Sequence, residues 1–196
     1  MAQTTLTLET VSGIQARACL PALAHLRLEV FRDFPYLYEG RAADELAHLH
    51  IYATHPKAAI ILAKDGGQVV GASTCLPLAA SDLTIQKPFQ DAGLSMDDIF
   101  YFGESVLRPA YRGRGLGVGF FQRREDWAKG AKMACFCAVE RPADHPLQPE
   151  NYVPLDEFWR HRGYRQRPEL FTLMSWRDLG APSPTRKNMI FWTKDL

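Results

Sequence analysis

The densest chemistry in the chain lies in Tyr101-Phe-Gly-Glu-Ser-Val-Leu-Arg-Pro-Ala-Tyr-Arg-Gly-Arg-Gly-Leu-Gly117. An apolar strand runs into Pro109, and a turn with Gly113, Gly115 and Gly117 then opens an amphipathic helix. Glycine lets the backbone take positive φ and come close to a ligand. The first N–H groups of a helix lack internal partners and sit at the positive end of its dipole. The combination makes a site for phosphate or pyrophosphate. No Gly-Lys-Ser/Thr follows, so the loop is not a Walker A loop. The glycines at 113, 115, 117 and 119 come late in the chain and lack the spacing and downstream acid of a dinucleotide fingerprint. On spacing alone, a glycine-rich turn that serves only tight packing explains the pattern equally well.

The elements that must position this loop can be read from pattern. Thr5 to Val11 alternates as a first strand. Leu20 to Phe34 carries Leu23, Leu26 and Val30 on one helical stripe, with Pro21 in its first turn. An aromatic loop, Pro35 to Gly40, precedes a second helix over Ala42 to Ala53 with Leu46, Leu49 and Ala53 inward. Ala58 to Ala63 and Gln68 to Leu76 form a hairpin about Lys64-Asp-Gly-Gly67. Pro77 to Asp98 is irregular, with room for one short helix. Ile99 to Leu107 is a strand, and Leu116 to Lys129 is a helix with Leu116, Phe120 and Trp127 on one face. Met133 to Val139 is apolar on both faces, as in a covered central strand. Arg141 to Pro154 is a loop, Leu155 to Arg162 a helix, and Leu170 to Trp176 and Met189 to Trp192 are closing strands. The order β-α-α-β-β-β-α-β-α-β-β is a mixed α/β sheet.

The 196 residues suit one domain, 1–196, with a hydrophobic core of its own. Lys and Arg number 23 against 22 Asp and Glu, a net charge of +1 that argues against a nucleic-acid or acidic-membrane partner. Cys19, Cys75, Cys135 and Cys137 make no C-x-x-C pair and no zinc-ligand spacing, so no metal is expected. Cys135 and Cys137 share one strand face and read as buried thiols. The N-terminus has no signal-peptide pattern, and no run of about 18 apolar residues suggests a membrane span. A reducing cytoplasm is the default location.

The glycine loop and its surroundings resemble motif A of the GNAT superfamily of N-acetyltransferases. Arg112, Gly115 and Gly117 match R/Q-x-x-G-x-G/A, and Leu107-Arg-Pro109 matches the preceding V-x-P. Phe158-Trp-Arg-His-Arg-Gly-Tyr164 resembles the family's F-Y-x-x-x-G-F, and the element order follows the family topology along nearly the whole chain. The resemblance implies a GNAT fold and an acyl-CoA site. The strands Phe100–Leu107 and Met133–Val139 would splay apart, and pantetheine would bind there as if extending the sheet. The pyrophosphate would lie on the amides of Arg112, Gly113, Arg114, Gly115, Leu116 and Gly117, with Arg112 and Arg114 adding charge. Five arginines between Arg108 and Arg124, with no acid among them, fit such a polyanion. The outer pair, Arg123 and Arg124, reads as a solvated helix face.

The implied reaction is acetyl transfer from acetyl-CoA to a primary amine by direct aminolysis. Glu104 is the candidate base, in apolar surroundings that would raise its pKa; pairing with an arginine is the equal alternative. An amide near Val106 or Leu107 is the candidate oxyanion donor. The family's acid is the tyrosine of its second motif, and Trp159 stands there instead. An indole N–H delivers no proton, so the thiolate is protonated elsewhere or leaves as the anion. Tyr111 and Tyr152 are open alternatives, while Tyr164 reads as core. His145 either assists proton transfer or is a turn histidine beside Pro146. Tyr36 and Tyr38 either line the acceptor or seal the core.

A small-molecule amine is the expected acceptor, with a peptide or protein amine second. The competing classes are a non-catalytic acyl-CoA sensor and a nucleic-acid binder using Arg108 to Arg124, the latter disfavoured by the charge balance. A homodimer through the late strands rests on the resemblance alone.

Overall fold

The computed structural model describes residues 5–196. Seven strands form one sheet in the order β1-β2-β3-β4-β5-β7-β6, with β1 Leu6–Val11, β2 Ala59–Asp65, β3 Gln68–Pro77, β4 Ile99–Leu107, β5 Met133–Val139, β6 Arg165–Trp176 and β7 Thr185–Asp195. All neighbours run antiparallel except β4 and β5. Helices α1 (Gly13–Val30), α2 (Ala42–Thr54) and α3 (Leu83–Asp91) cover one face, and α4 (Leu116–Trp127) and the short α5 (Asp156–Arg160) cover the other. The mixed α/β order expected from the pattern is present, with α3 added inside the 77–98 stretch. Asp82 caps α3 by accepting from the Thr84 N–H at 3.2 Å.

Several boundaries differ from the sequence reading. Helix α1 starts at Gly13, seven residues before the expected Leu20, and runs through Pro21. Pro21 offers no N–H to the Arg17 carbonyl, but both residues are exposed, so water can serve that acceptor. Leu46 is exposed, and Glu45 takes the inward position on α2 instead. Trp127 lies at the surface with its indole N–H on the Lys57 carbonyl at 3.0 Å. The last two strands are longer than expected: β6 begins with the polar run from Arg165 and β7 with Thr185-Arg-Lys-Asn188, which carry no apolar signal, and the β6–β7 ladder shifts register between Arg167 and Phe171, around Pro168.

The sheet is locked on both sides by apolar packing. Ile60, Leu62, Ala72, Cys135 and Cys137 meet α1 to α3, whereas Ile61, Cys75, Phe102, Phe136 and Trp192 meet α4 and α5. Two irregularities in β4 matter for function. First, β4 pairs with β5 only at Ile99↔Met133, Phe100↔Ala134 and Tyr101↔Cys135, after which the two strands part. Second, the β3–β4 register shifts between Ser73 and Cys75, a bulge that sets Gly103 and Glu104 of β4 against Thr74 of β3. In a regular strand Phe102 and Glu104 would share a face. The bulge turns Phe102 toward α4 and Glu104 toward α1 and α2.

The bulge needs glycine at 103. A Cβ there would fall on the Tyr52 hydroxyl and lie 2.6 Å from Thr74 Oγ1. Tyr52 is 2% exposed and cannot step aside. Gly103→Ala is expected to cost about 1–3 kcal/mol by overpacking. Urea denaturation checks this; an unchanged midpoint would show that the Tyr52 contact is soft.

Candidate functional site

The loop after β4 is built as an anion cradle. Pro109–Tyr111 makes one 3-10 turn, and Gly113 and Gly115 follow at φ +74° and +80°. Neither glycine is crowded, so the left-handed backbone, not lack of space, is what demands glycine. Gly115 is the N-cap of α4, and the Gly119 N–H is the first to reach back, to the Gly115 carbonyl at 3.1 Å. Among the described residues the amides from Gly113 to Val118 find no backbone acceptor and remain available. Gly119 serves packing: a Cβ there would strike Leu8 of β1.

The arginines of this segment divide by role. Arg108 is committed to Glu29, with Nε at 3.0 and 3.1 Å from the two carboxylate oxygens. Arg112 lies at the loop, its Nε 3.3 Å from the Leu107 carbonyl and its Nη2 3.5 Å from Asp33. Arg114 rests over the Tyr111 ring with no ion pair among the described residues. Arg123 is exposed as expected, but Arg124 is not on a solvated face: it is 2% exposed. It sits on the inner stripe of α4 with Phe120 and Phe121, which a run of two arginines disguises.

A single cavity of about 2000 Å³ reaches from this loop through the β4–β5 gap to the α1/α2 face. That exceeds the ~300–1,000 Å³ of an ordinary small-molecule pocket and leaves room for two ligands. Arg108 N–H donates to the Val70 carbonyl of β3 at 3.0 Å. Strand alternation therefore turns the Val106 amide toward β3 and the Leu107 and Ser105 amides toward the gap. Of the two expected oxyanion or pantetheine donors, only Leu107 fits, and Ser105 joins it.

Glu104 projects into the cavity floor from the bulge. It is buried, and its Oε2 lies 2.7 Å from Arg27 Nη1 and 3.7 Å from His48 Nε2. Its backbone N–H donates to Thr74 Oγ1 at 3.2 Å. Arg27 also binds Glu45, which accepts from Tyr38 Oη at 2.7 Å. Burial pushes the Glu104 carboxyl upward, but Arg27, then His48 and Thr74, outweigh it and hold the pKa below the ordinary range. The expectation of a raised pKa is thus corrected: a charged partner from α1 overrides apolar neighbours. The other oxygen, Oε1, is buried with no partner.

The remaining candidates fall in two groups. Tyr36 and Tyr38 both line the cavity, and Tyr36 is packed between Phe31 at 4.5 Å and Trp176 at 6.0 Å between ring centroids. Burial raises the Tyr36 hydroxyl pKa, so it stays protonated. His145 stands against Phe34, outside the cavity lining, and its Nδ1 accepts from the Leu147 N–H at 3.2 Å, the posture of a turn histidine. Of the alternative acids, Tyr111 donates to Asp65 at 2.9 Å; Tyr164, expected as core, is buried and donates to Glu125 at 3.1 Å. Tyr152 packs edge-on to Phe34, and Trp159 packs on Phe136 and Trp192.

Sequence reasoning missed Arg141 as an organiser. Its guanidinium binds the Pro35 carbonyl at 2.7 Å, the Tyr36 carbonyl at 2.8 Å and both oxygens of Asp178 at 2.9 and 3.1 Å. Lys187 binds the same carboxylate at 3.2 Å. These bonds fix the aromatic loop over the cavity; the sole sequence signal was an arginine directly after an apolar strand.

A model of the acetyltransferase (GNAT) family matches residues 23–149. No curated protein matches the chain. Among solved structures, an acetyltransferase from Thermus thermophilus is 16% identical, with both chains covered over 100% and a TM-score of 0.59. A putative acetyltransferase from Salmonella typhimurium, solved with its cofactor acetyl-CoA, is 13% identical over 98% of this chain and 95% of that one, with a TM-score of 0.63. The ribosomal-protein-S18-alanine N-acetyltransferase from Escherichia coli is 11% identical over 97% and 94%, with a TM-score of 0.58.

The ion cluster makes a prediction with a definite sign. A carboxyl lowered in the fold stabilises it above the unfolded value near pH ~4.3, and that contribution is lost as pH falls through the folded value. Arg27→Met leaves two buried carboxylates unpaired and should cost about 3–5 kcal/mol at neutral pH. Burial then raises the Glu104 pKa above its unfolded value, so the variant should lose stability, relative to wild type, as pH rises from about 5 to 7. Urea titrations across this range test it; parallel curves for the two proteins would contradict it.

Proposed function

The chain belongs to the acetyltransferase (GNAT) family and is an acetyl-CoA-dependent acyltransferase, and from that premise we propose that its acceptor is the primary amine of a small molecule. The observation that carries this reading is the Glu104 carboxylate, short of one hydrogen-bond partner, in the lining of an aromatic-walled cavity. Phe31, Phe34, Tyr36, Tyr152 and Trp176 form the wall, and the Arg141 bonds hold it in place. Such a site offers an ammonium a carboxylate and an amine-bearing molecule an apolar surface.

The residues fit acetyl-CoA on the opposite side of the gap. The amides of Gly113 to Gly117 would hold the pyrophosphate, helped by Arg112 and Arg114. The gap-facing amides of Ser105 and Leu107 would pair with the pantetheine arm, which brings a thioester activated toward amines. Glu104 is ionised at neutral pH, so it binds and orients the ammonium. It passes the proton out through His48, which lies at the half-exposed rim. The Leu107 amide is the donor in reach of an oxyanion formed in the gap.

Two variants test the halves separately. Gly115→Glu imposes a side chain at φ +80° and a negative charge at the cradle, and should weaken acetyl-CoA binding at least about tenfold by calorimetry. Glu104→Gln should keep acetyl-CoA affinity and lower kcat for amine acetylation about 10²-fold. A broad panel of amines and peptides identifies the acceptor. Acetylation confined to peptides would overturn the small-molecule reading, and acetyl-CoA binding without acetylation of any amine would favour the sensor.

A further inference from the structure

Arg124 is a buried cation without an anion. It is 2% exposed, and no carboxylate among the described residues lies within ion-pair distance. Its Nε donates to the Phe120 carbonyl of its own helix at 3.2 Å, and its Nη groups meet no protein acceptor. Phe102 and Phe121 flank the guanidinium at 4.5 and 4.6 Å from their ring centres. Two cation–π contacts of about 2 kcal/mol each offset only part of the cost of burying a charge. The titratable groups that act on it through space are Tyr164, Cys75, Glu125 and Glu104. Burial pushes the Cys75 thiol up to about 12 and raises the Tyr164 hydroxyl, so both stay neutral. Glu125 is taken by Lys194 at 2.9 Å and by Tyr164, and Glu104 by Arg27.

The side chain lines the same cavity as Gly117, Phe136 and Trp159. It follows Gly115 by nine residues, about 13 Å along α4 at 1.5 Å per residue. A pantetheine arm is equivalent to roughly four extended residues, on the order of 14 Å. With the pyrophosphate on the cradle, its sulfur ends at about the depth of Arg124. Trp159 has no proton to give, and Tyr111 and Tyr164 have their hydroxyls engaged elsewhere.

We propose that Arg124 is a catalytic residue that receives the negative charge of the coenzyme A sulfur as the acetyl group departs. This rests on the acetyl-CoA reading above. The amine nitrogen bonds to the carbonyl carbon, the carbon–sulfur bond breaks, and its electron pair goes to sulfur. Two protons leave the nitrogen through Glu104 in turn, one from the ammonium before attack and one as the amide forms, and Arg124 keeps its own. The thiolate is held as an ion pair until solvent protonates it, so no acid is needed at position 159.

The test compares the Kd of coenzyme A with that of desulfo-coenzyme A, which lacks the titrating sulfur, from about pH 6 to 9. In the wild type, coenzyme A should tighten about tenfold relative to desulfo-coenzyme A as pH rises through the thiol titration, with the bound thiol titrating about one unit below the free thiol. Arg124→Met should abolish the divergence while still binding desulfo-coenzyme A, and Arg124→Lys should retain part of it. If the Met variant does not fold, the wild-type profile and the Lys variant decide. Parallel curves in the wild type, or divergence kept in Arg124→Met, overturn the proposal. Parallel curves with an Arg124-dependent preference for succinyl-CoA over acetyl-CoA would also overturn it and assign the guanidinium to an acyl carboxylate. Failure of both coenzymes to bind overturns the acetyl-CoA reading as well.

Discussion

The parting of β4 from β5 is the constraint from which the rest of the molecule takes its form. Parallel neighbours usually continue pairing as far as both strands run, because an unpaired amide inside a sheet is costly. Here the ladder stops after three residue pairs, while β4 stays paired with β3 and β5 with β7. The bulge at Gly103 and Glu104 bends β4 and increases its twist. The result is an edge in the middle of a sheet, with backbone groups ready to pair with an extended ligand. The two faces of the sheet, otherwise separated by a continuous wall, communicate through that opening. One face carries the glycine cradle, the other the carboxylate cluster.

The ion pairs around Arg27 are placed by the same bulge. Three elements meet there: Arg27 from α1, Glu45 from α2 and Glu104 from β4. Burial of two carboxylates against one guanidinium leaves the cluster net negative, and Glu104 is the member that lines the cavity. A carboxylate held below its ordinary pKa is a weak base, so it aligns a cation and relays a proton onward without retaining it. Arg124, on the opposite face, is the electrostatic complement: a positive charge without a protein anion. The gap therefore runs between a negative and a positive site, along the direction in which electrons move from amine to sulfur.

The sequence made the fold and the cradle readable for physical reasons. Strand alternation, helix stripes and the spacing of Arg112, Gly115 and Gly117 are local, and locality is what a linear reading sees. Glu104 stood out as an acid in an apolar strand, but its partner Arg27 lies on α1, and the sign of its pKa shift depends on that pairing. Arg124 looked like surface because it follows Arg123, and which of the two turns inward depends on helix phase against the sheet. The Arg141–Asp178 pair joins residues 37 positions apart, and nothing in either neighbourhood announces the other. Val106 and Leu107 could be told apart only once the β3 register fixed which amides face the gap.

The bonds that hold the aromatic wall have a kinetic consequence. Trp176 Nε1 donates to the Tyr36 carbonyl across 140 residues, and Arg141 reaches Pro35 and Tyr36 across 106 and 105. Loop closure of that length comes late in folding, after the local hairpins and helices have formed. The pyrophosphate cradle, by contrast, joins consecutive elements and needs no such closure. A chain emerging from the ribosome would have its glycine cradle available early, and the amine-binding wall only when the final hairpin docks. The order of assembly thus separates the two substrates in time as the sheet separates them in space.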